Sequence, residues 1–315
     1  VRQDEAGRAQ MRLEALLSEG IARVEQRERL RVCFLTGHGE RSLDDTGSEG
    51  LNELDRRLEK SNLETERVPL DVPRPEQALR ACSVIALVGP ERPLPREHVD
   101  ALSSAWRDGA NFALFVDPIV DGQGRFGDVG ITRLLDTWQL SFDVGFVIET
   151  DPKRRLPRGI GEAFFTDVAT HPLTRGLSTE EARLDARPVA VGTQSIQAAS
   201  TSRALPLLRS SAASFLLNDL SRTTPPSEKD RGARVLGVAL DDPTPSSSLS
   251  SPNPASDRTR AQHHRAVVFG SSSWAGGDSF RDPALYGNRV LVENAFSWLT
   301  DRPALVAVPD RRSRS

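Results

Sequence analysis

Three largely apolar six-residue runs punctuate the first part of the chain and each ends at a turn signal. Residues 31–36 read Arg-Val-Cys-Phe-Leu-Thr and stop at Gly37-His38-Gly39-Glu40. Residues 83–88 read Ser-Val-Ile-Ala-Leu-Val and stop at Gly89-Pro90, and residues 111–116 read Asn-Phe-Ala-Leu-Phe-Val and stop at Asp117-Pro118. Runs that are apolar at successive positions predict strands buried on both faces. Between them, Leu51, Leu54 and Leu58, then Val99, Leu102 and Trp106, fall at helical spacing. Thr46 with Glu49 predicts a capping box for a helix over 50–60; Pro95 fits the first position of the next helix, which Gly109 ends. A further strand is predicted over 64–70, stopped by Pro73 and Pro75. Strand and helix alternating in this way predict α/β architecture, a doubly wound, mostly parallel sheet with the three apolar runs as central parallel strands.

The pattern is weaker beyond residue 118. Ile131, Leu134, Leu135 and Trp138 predict a helix, and strands are expected over 143–148, 189–197, 234–240 and 265–270. A closing helix over 288–299 carries Leu291, Ala295, Trp298 and Leu299 on one side. Residues 241–264 are dense in Pro, Ser, Asp and Arg, too poor in apolar side chains to offset their ordering entropy. They are expected to form a mobile surface loop, with Asp241-Asp242 and His263-His264 solvated in it. Leu13, Leu17, Ile21 and Val24 share one helical stripe. The expected organisation is an amphipathic helix over 1–29, a single α/β domain over 30–308 with the loop at 241–264, and a polar tail over 309–315.

Charge alters this picture little: 41 Lys and Arg face 44 Asp and Glu, a net of -3. No basic excess marks a nucleic-acid partner. No apolar run reaches the ~18 residues that span a bilayer. Cys33 and Cys82 each lie in or beside an apolar run and are expected as small buried thiols. A disulfide would instead imply an oxidising compartment, and it requires a Cα geometry that a sequence does not supply.

Candidate chemistry is sparse. Gly122-Gln-Gly124-Arg-Phe-Gly127 matches a dinucleotide-binding string, but five residues separate it from the strand end, so a glycine-rich surface loop is expected. Gly270-Ser271-Ser272-Ser273-Trp274 lacks the second glycine of a nucleophile elbow, and all five histidines precede it, against the order Ser, acid, His. The histidines show no metal-ligand spacing, and no cofactor is expected. What remains is the carboxyl edge of the sheet, where a doubly wound fold binds ligands. There Gly37, His38, Gly39, Glu40, Asp117 and Ser271 form the candidate surface, with His38, Glu40 and Asp117 gathered in a shallow polar cleft. Replacing His38 and Glu40 together by Ala is expected to leave the fold intact, since turn positions bury little apolar area.

Several blocks carry a resemblance to a known family. Residues 31–45 (Arg-Val-Cys-Phe-Leu-Thr-Gly-His-Gly-Glu-Arg-Ser-Leu-Asp-Asp), 84–95, 108–118, His171-Pro-Leu-Thr-Arg-Gly-Leu177 and 287–299 resemble, in order, the auxiliary (GldG-like) domain of ABC-type uncharacterized transport system proteins, which include gliding-motility components. The resemblance implies a Rossmann-like, glutamine-amidotransferase-like fold without the amidotransferase nucleophile. It implies association with ABC transporter permease and ATPase subunits, and membrane anchoring through segments absent from this chain. It places the domain on the periplasmic side, as a non-catalytic interaction domain for a partner protein, polysaccharide or peptide. The alternatives are a degenerate amidotransferase-like or hydrolase enzyme, or a nucleotide-binding module. Where relatives tend to carry Gly-Asp-Ser, this chain has Gly270-Ser271-Ser272.

Overall fold

The computed structural model describes residues 30–157, 159–178, 186–221, 227–243 and 264–301. The helix expected over 1–29, the tail over 309–315 and residues 244–263 of the long loop lie outside the described residues.

Eight strands build the main sheet: β1 (Leu30–Thr36), β2 (Leu63–Pro69), β3 (Val84–Val88), β4 (Asn111–Phe115), β5 (Asp167–Val168), β6 (Leu205–Arg209), β7 (Val235–Asp242) and β8 (His264–Phe269). Their order is β5-β6-β7-β8-β4-β3-β1-β2. From β2 to β8 the neighbours are parallel. From β8 to β5 they are antiparallel. The three apolar runs are adjacent parallel strands in the middle of this sheet, as their composition requires.

Helices cover both faces. On one face α1 (Asn52–Lys60), α5 (Asp278–Arg281) and α6 (Tyr286–Leu299) pack on Val32 and Phe34 of β1. On the other, α2 (Pro75–Leu79), α3 (Arg96–Arg107) and α4 (Thr132–Thr137) pack on Cys33 and Leu35. Side chains alternate across a strand, so two covered faces demand apolar residues at every position, which is why these runs do not alternate. The helices that follow β1 and β3 lie on opposite faces. The carboxyl ends of β1 and β3 therefore border a topological switch point, the crevice where doubly wound sheets bind ligands.

Several local expectations are corrected. The Thr46–Glu49 capping box does not form: α1 begins after Leu51, with no side-chain cap. Asp45 instead organises this segment, its carboxylate accepting the Gly47 N–H at 2.7 Å. The single strands expected over 143–148 and 189–197 are each broken. Gly145, at φ +147°, separates Leu140–Asp143 from Phe146–Ile148, and Gly192, at φ +54°, separates Val189–Val191 from Ser195–Ala198. These pieces pair as small antiparallel ribbons. The polar loop is also shorter than expected. Asp241 and Asp242 belong to β7, paired with Arg265 and His264 of β8. His264 is buried with its ring edge-on to Trp106, where a solvated loop histidine was expected.

The two cysteines are the largest correction. Cys33 of β1 and Cys82, just before β3, form a disulfide with Cα atoms 5.7 Å apart. β1 and β3 are neighbours, and this brings together two residues 49 apart in sequence.

The His171 motif proves architectural. The His171 ring accepts the Leu173 N–H at 3.2 Å, while the Thr174 hydroxyl accepts the His171 N–H at 3.0 Å. Asn294 of α6 donates to the Leu173 and Arg175 carbonyls at 2.9 and 3.0 Å, fastening the motif to the closing helix.

Candidate functional site

The turn after β1 needs its glycines: Gly37 has φ +120° and Gly39 φ +85°, the left-handed region that other residues avoid. Between them His38 is folded inward and is only 5% exposed. Its backbone N–H donates to Glu40 Oε2 at 2.7 Å, and its Nδ1 lies 3.1 Å from Glu40 Oε1. Its Nε2 lies 3.0 Å from Nδ1 of His98, in the first turn of α3. The His38 carbonyl accepts the N–H groups of Glu91 and Arg92 at 2.9 and 3.0 Å, and the Arg92 guanidinium donates to the Gly37 carbonyl at 2.9 Å. The turns after β1 and β3 are thus laced together.

A second network lies at the ends of β4 and β8. Asp117 accepts from the Ser271 hydroxyl at 3.0 Å, from the Ser272 N–H at 2.8 Å and from the Ser272 hydroxyl. Arg41 donates through Nε to the Ser272 hydroxyl at 2.6 Å, and its Nη2 stands 3.8 Å from Asp117. The Arg41 N–H donates to the Val88 carbonyl, so one residue links the ends of β1, β3, β4 and β8. Gly89 permits this approach: a Cβ there would sit 2.9 Å from Arg41 Nε.

All four turns anticipated from the sequence do meet at the carboxyl edge, but as two networks. Glu40 holds His38, whereas Asp117 holds Ser271 and Ser272. Sequence reasoning missed His98 and Arg41. His98 shows no local signal, being 60 residues from His38. Arg41 sits one residue past the candidate turn, where its role depends on strand order.

The two enzyme-like strings resolve differently. Gly122 to Gly127 is the turn and second strand of a hairpin, Ile119–Val120 pairing with Phe126–Gly127, so its glycines do not open a helix: α4 begins only at Thr132. Asp121 closes that turn by accepting the N–H groups of Gln123 and Arg125, both at 2.9 Å. Hydrogen bonds from the Arg125 backbone and side chain hold its carboxyl below the usual value. Ser271 and Ser272 are buried, and among the described residues no histidine bonds to them. The cavity lined by Leu79, Arg80, Cys82 and Gly109, about 340 Å³, lies at the opposite, amino edge.

One solved structure supports the fold. The N-terminal domain of mmIFT52 superposes with a TM-score of 0.57 at 14% identity, covering 86% of this chain and 97% of that one. A ThuA-like protein from Bacteroides uniformis follows at TM-score 0.47 and 13% identity, covering 86% and 91%. A GMP synthase subunit from Thermoplasma acidophilum gives TM-score 0.38 at 11% identity, covering 87% and 97%. No curated protein matches the chain significantly. A family model described as ABC-type uncharacterized transport system matches residues 29–295, and the chain belongs to that family, the auxiliary components of ABC-type transport systems.

Proposed function

We propose that the chain is a non-catalytic, extracytoplasmic interaction domain of a membrane-anchored accessory protein, working beside ABC transporter permease and ATPase subunits. Its binding surface is the carboxyl edge of the sheet, where it takes a partner protein or a polar ligand such as a polysaccharide or peptide. The observation that carries this reading is the Cys33–Cys82 disulfide, because structural disulfides persist in oxidising compartments outside the cytosol. Among the described residues no helix is long and apolar enough to cross a membrane, so anchoring rests on other segments. Chain direction supports the choice of edge. β1 begins at the amino edge, and α6 ends there, its Leu299 carbonyl accepting from Asn111 at the start of β4 at 2.7 Å. The described residues therefore begin and end at the edge opposite the proposed binding surface.

Two measurements in intact cells test this. Cys33 and Cys82 resist a thiol-alkylating reagent until a reductant is added; prompt alkylation without reductant would place the domain in a reducing compartment. Glu91, exposed on the carboxyl edge beside Gly39, supplies the second test. Glu91→Arg lowers copurification of the transporter with a normally folded protein, and unchanged copurification counts against this edge as the interface.

A further inference from the structure

We propose that His38 and His98 form a binding site for one divalent metal ion of the zinc, nickel or copper class, with Glu40 as the outer carboxylate that orients His38. The starting point is the tautomer. Glu40 has a side chain only 1% exposed and lies 3.1 Å from His38 Nδ1. A carboxylate only accepts, so the neutral ring bonds Glu40 with its proton on Nδ1, and its Nε2 lone pair then points away from Glu40 toward His98. That lone pair meets Nδ1 of His98 at 3.0 Å, with the rings at 75° to one another.

This is the arrangement a metal-binding imidazole adopts, its second nitrogen held by a carboxylate. Two nitrogens, each ~2.05 Å from a tetrahedral zinc ion, stand about 3.3 Å apart. The present gap differs by a few tenths of an ångström, so a tautomer of His98 with its proton on Nε2, together with a small turn of that ring, leaves both facing lone pairs free for the ion. Imidazole donors select zinc, nickel and copper over magnesium and calcium. Among the described residues no group of three or more His, Cys, Asp or Glu is placed to hold a metal ion, so beyond the two imidazoles water or a donor from a partner completes the coordination. Location supports a ligand role: His38 follows β1 and His98 lies in the first turn of the helix after β3, at the switch point of the sheet. Zinc uptake by the purified chain is independent of any partner at the carboxyl edge.

The test is a titration of the untagged 315-residue chain with zinc chloride, followed by calorimetry and by the ring-nitrogen resonances of its histidines. One zinc ion binds per chain, and the resonances of His38 and His98 shift together. His98→Ala weakens binding at least ~10-fold, His98→Cys restores it by supplying a thiolate ligand, and Glu40→Gln weakens it ~10- to 100-fold. The resonance measurement needs no variant, so it decides the matter even if a substitution disturbs folding. Absence of saturable zinc uptake overturns the proposal. So does uptake that leaves the His38 and His98 resonances unmoved, which would assign the ion to other histidines.

Discussion

The Ser272 N–H donates to Asp117 Oδ1 at 2.8 Å across 155 residues of sequence, joining the turns after the parallel strands β4 and β8. The same carboxylate also takes the hydroxyls of Ser271 and Ser272 and lies opposite Arg41. Asp117→Ala leaves the buried Ser272 N–H and hydroxyl short of an acceptor, and a stranded group of this kind costs about 1–3 kcal/mol. Urea unfolding should show the loss as a lower midpoint at unchanged slope. An unaltered midpoint would show that Asp117 does not hold this turn together.

Reduction of the Cys33–Cys82 bridge should destabilise the domain substantially. Closing a loop of 49 residues restricts the unfolded chain by about 4 kcal/mol in the loop-entropy account. Unfolding with and without reductant measures this, and intact mass under non-reducing conditions confirms the bridge by the loss of two hydrogens. Identical curves for a verified disulfide and its reduced form would remove the stabilising role.

Acid should weaken the fold through His171. Its pKa is lowered, first by burial and then by Arg265, against an opposing pull from Asp241. The unfolded chain therefore takes up the proton more readily than the folded one. The stabilising contribution is complete above the ordinary histidine value of 6.5 and is lost as pH falls below it toward the depressed folded value. Protonation also abolishes the Nδ1 acceptor that receives the Leu173 N–H. His171→Asn keeps a capping oxygen without the titration, so the stability gap between wild type and variant should move against wild type as pH drops. A gap independent of pH from 8 down to 5 would exclude this linkage.

Replacement of Glu40 should not be harmless, contrary to what a turn position suggests. The carboxylate is nearly fully buried and bonds both the backbone and the ring of His38. Glu40→Ala should cost about 1–3 kcal/mol through the stranded His38 donors. Glu40→Gln, which keeps an acceptor, should cost less. Equal melting temperatures for wild type and Glu40→Ala would show that the turn tolerates loss of this contact.

The part of this protein legible in its sequence is the part set by local pattern. The runs at 31–36, 83–88 and 111–116 are central strands because both their faces are covered, and two covered faces confine polar residues such as Arg31, Thr36, Ser83 and Asn111 to the ends of the runs. The glycines at 37, 39 and 89 announce left-handed turns at strand ends for the same local reason. Parallel connectivity then brings those ends to one edge, so the region of the candidate site followed from the order of elements. What the tertiary structure alone decided depends on pairings between distant segments. β1 and β3 being neighbours turned two apparent buried thiols into a disulfide. The placement of α3 above the end of β1 gave His38 a partner in His98. Gly145 and Gly192 broke two apparent strands into ribbons whose partners lie far along the chain. Hydrophobic periodicity reports which face of an element is buried. It carries no information about which remote residue lies on the other side of that contact, and the chemistry of this edge is made of such contacts.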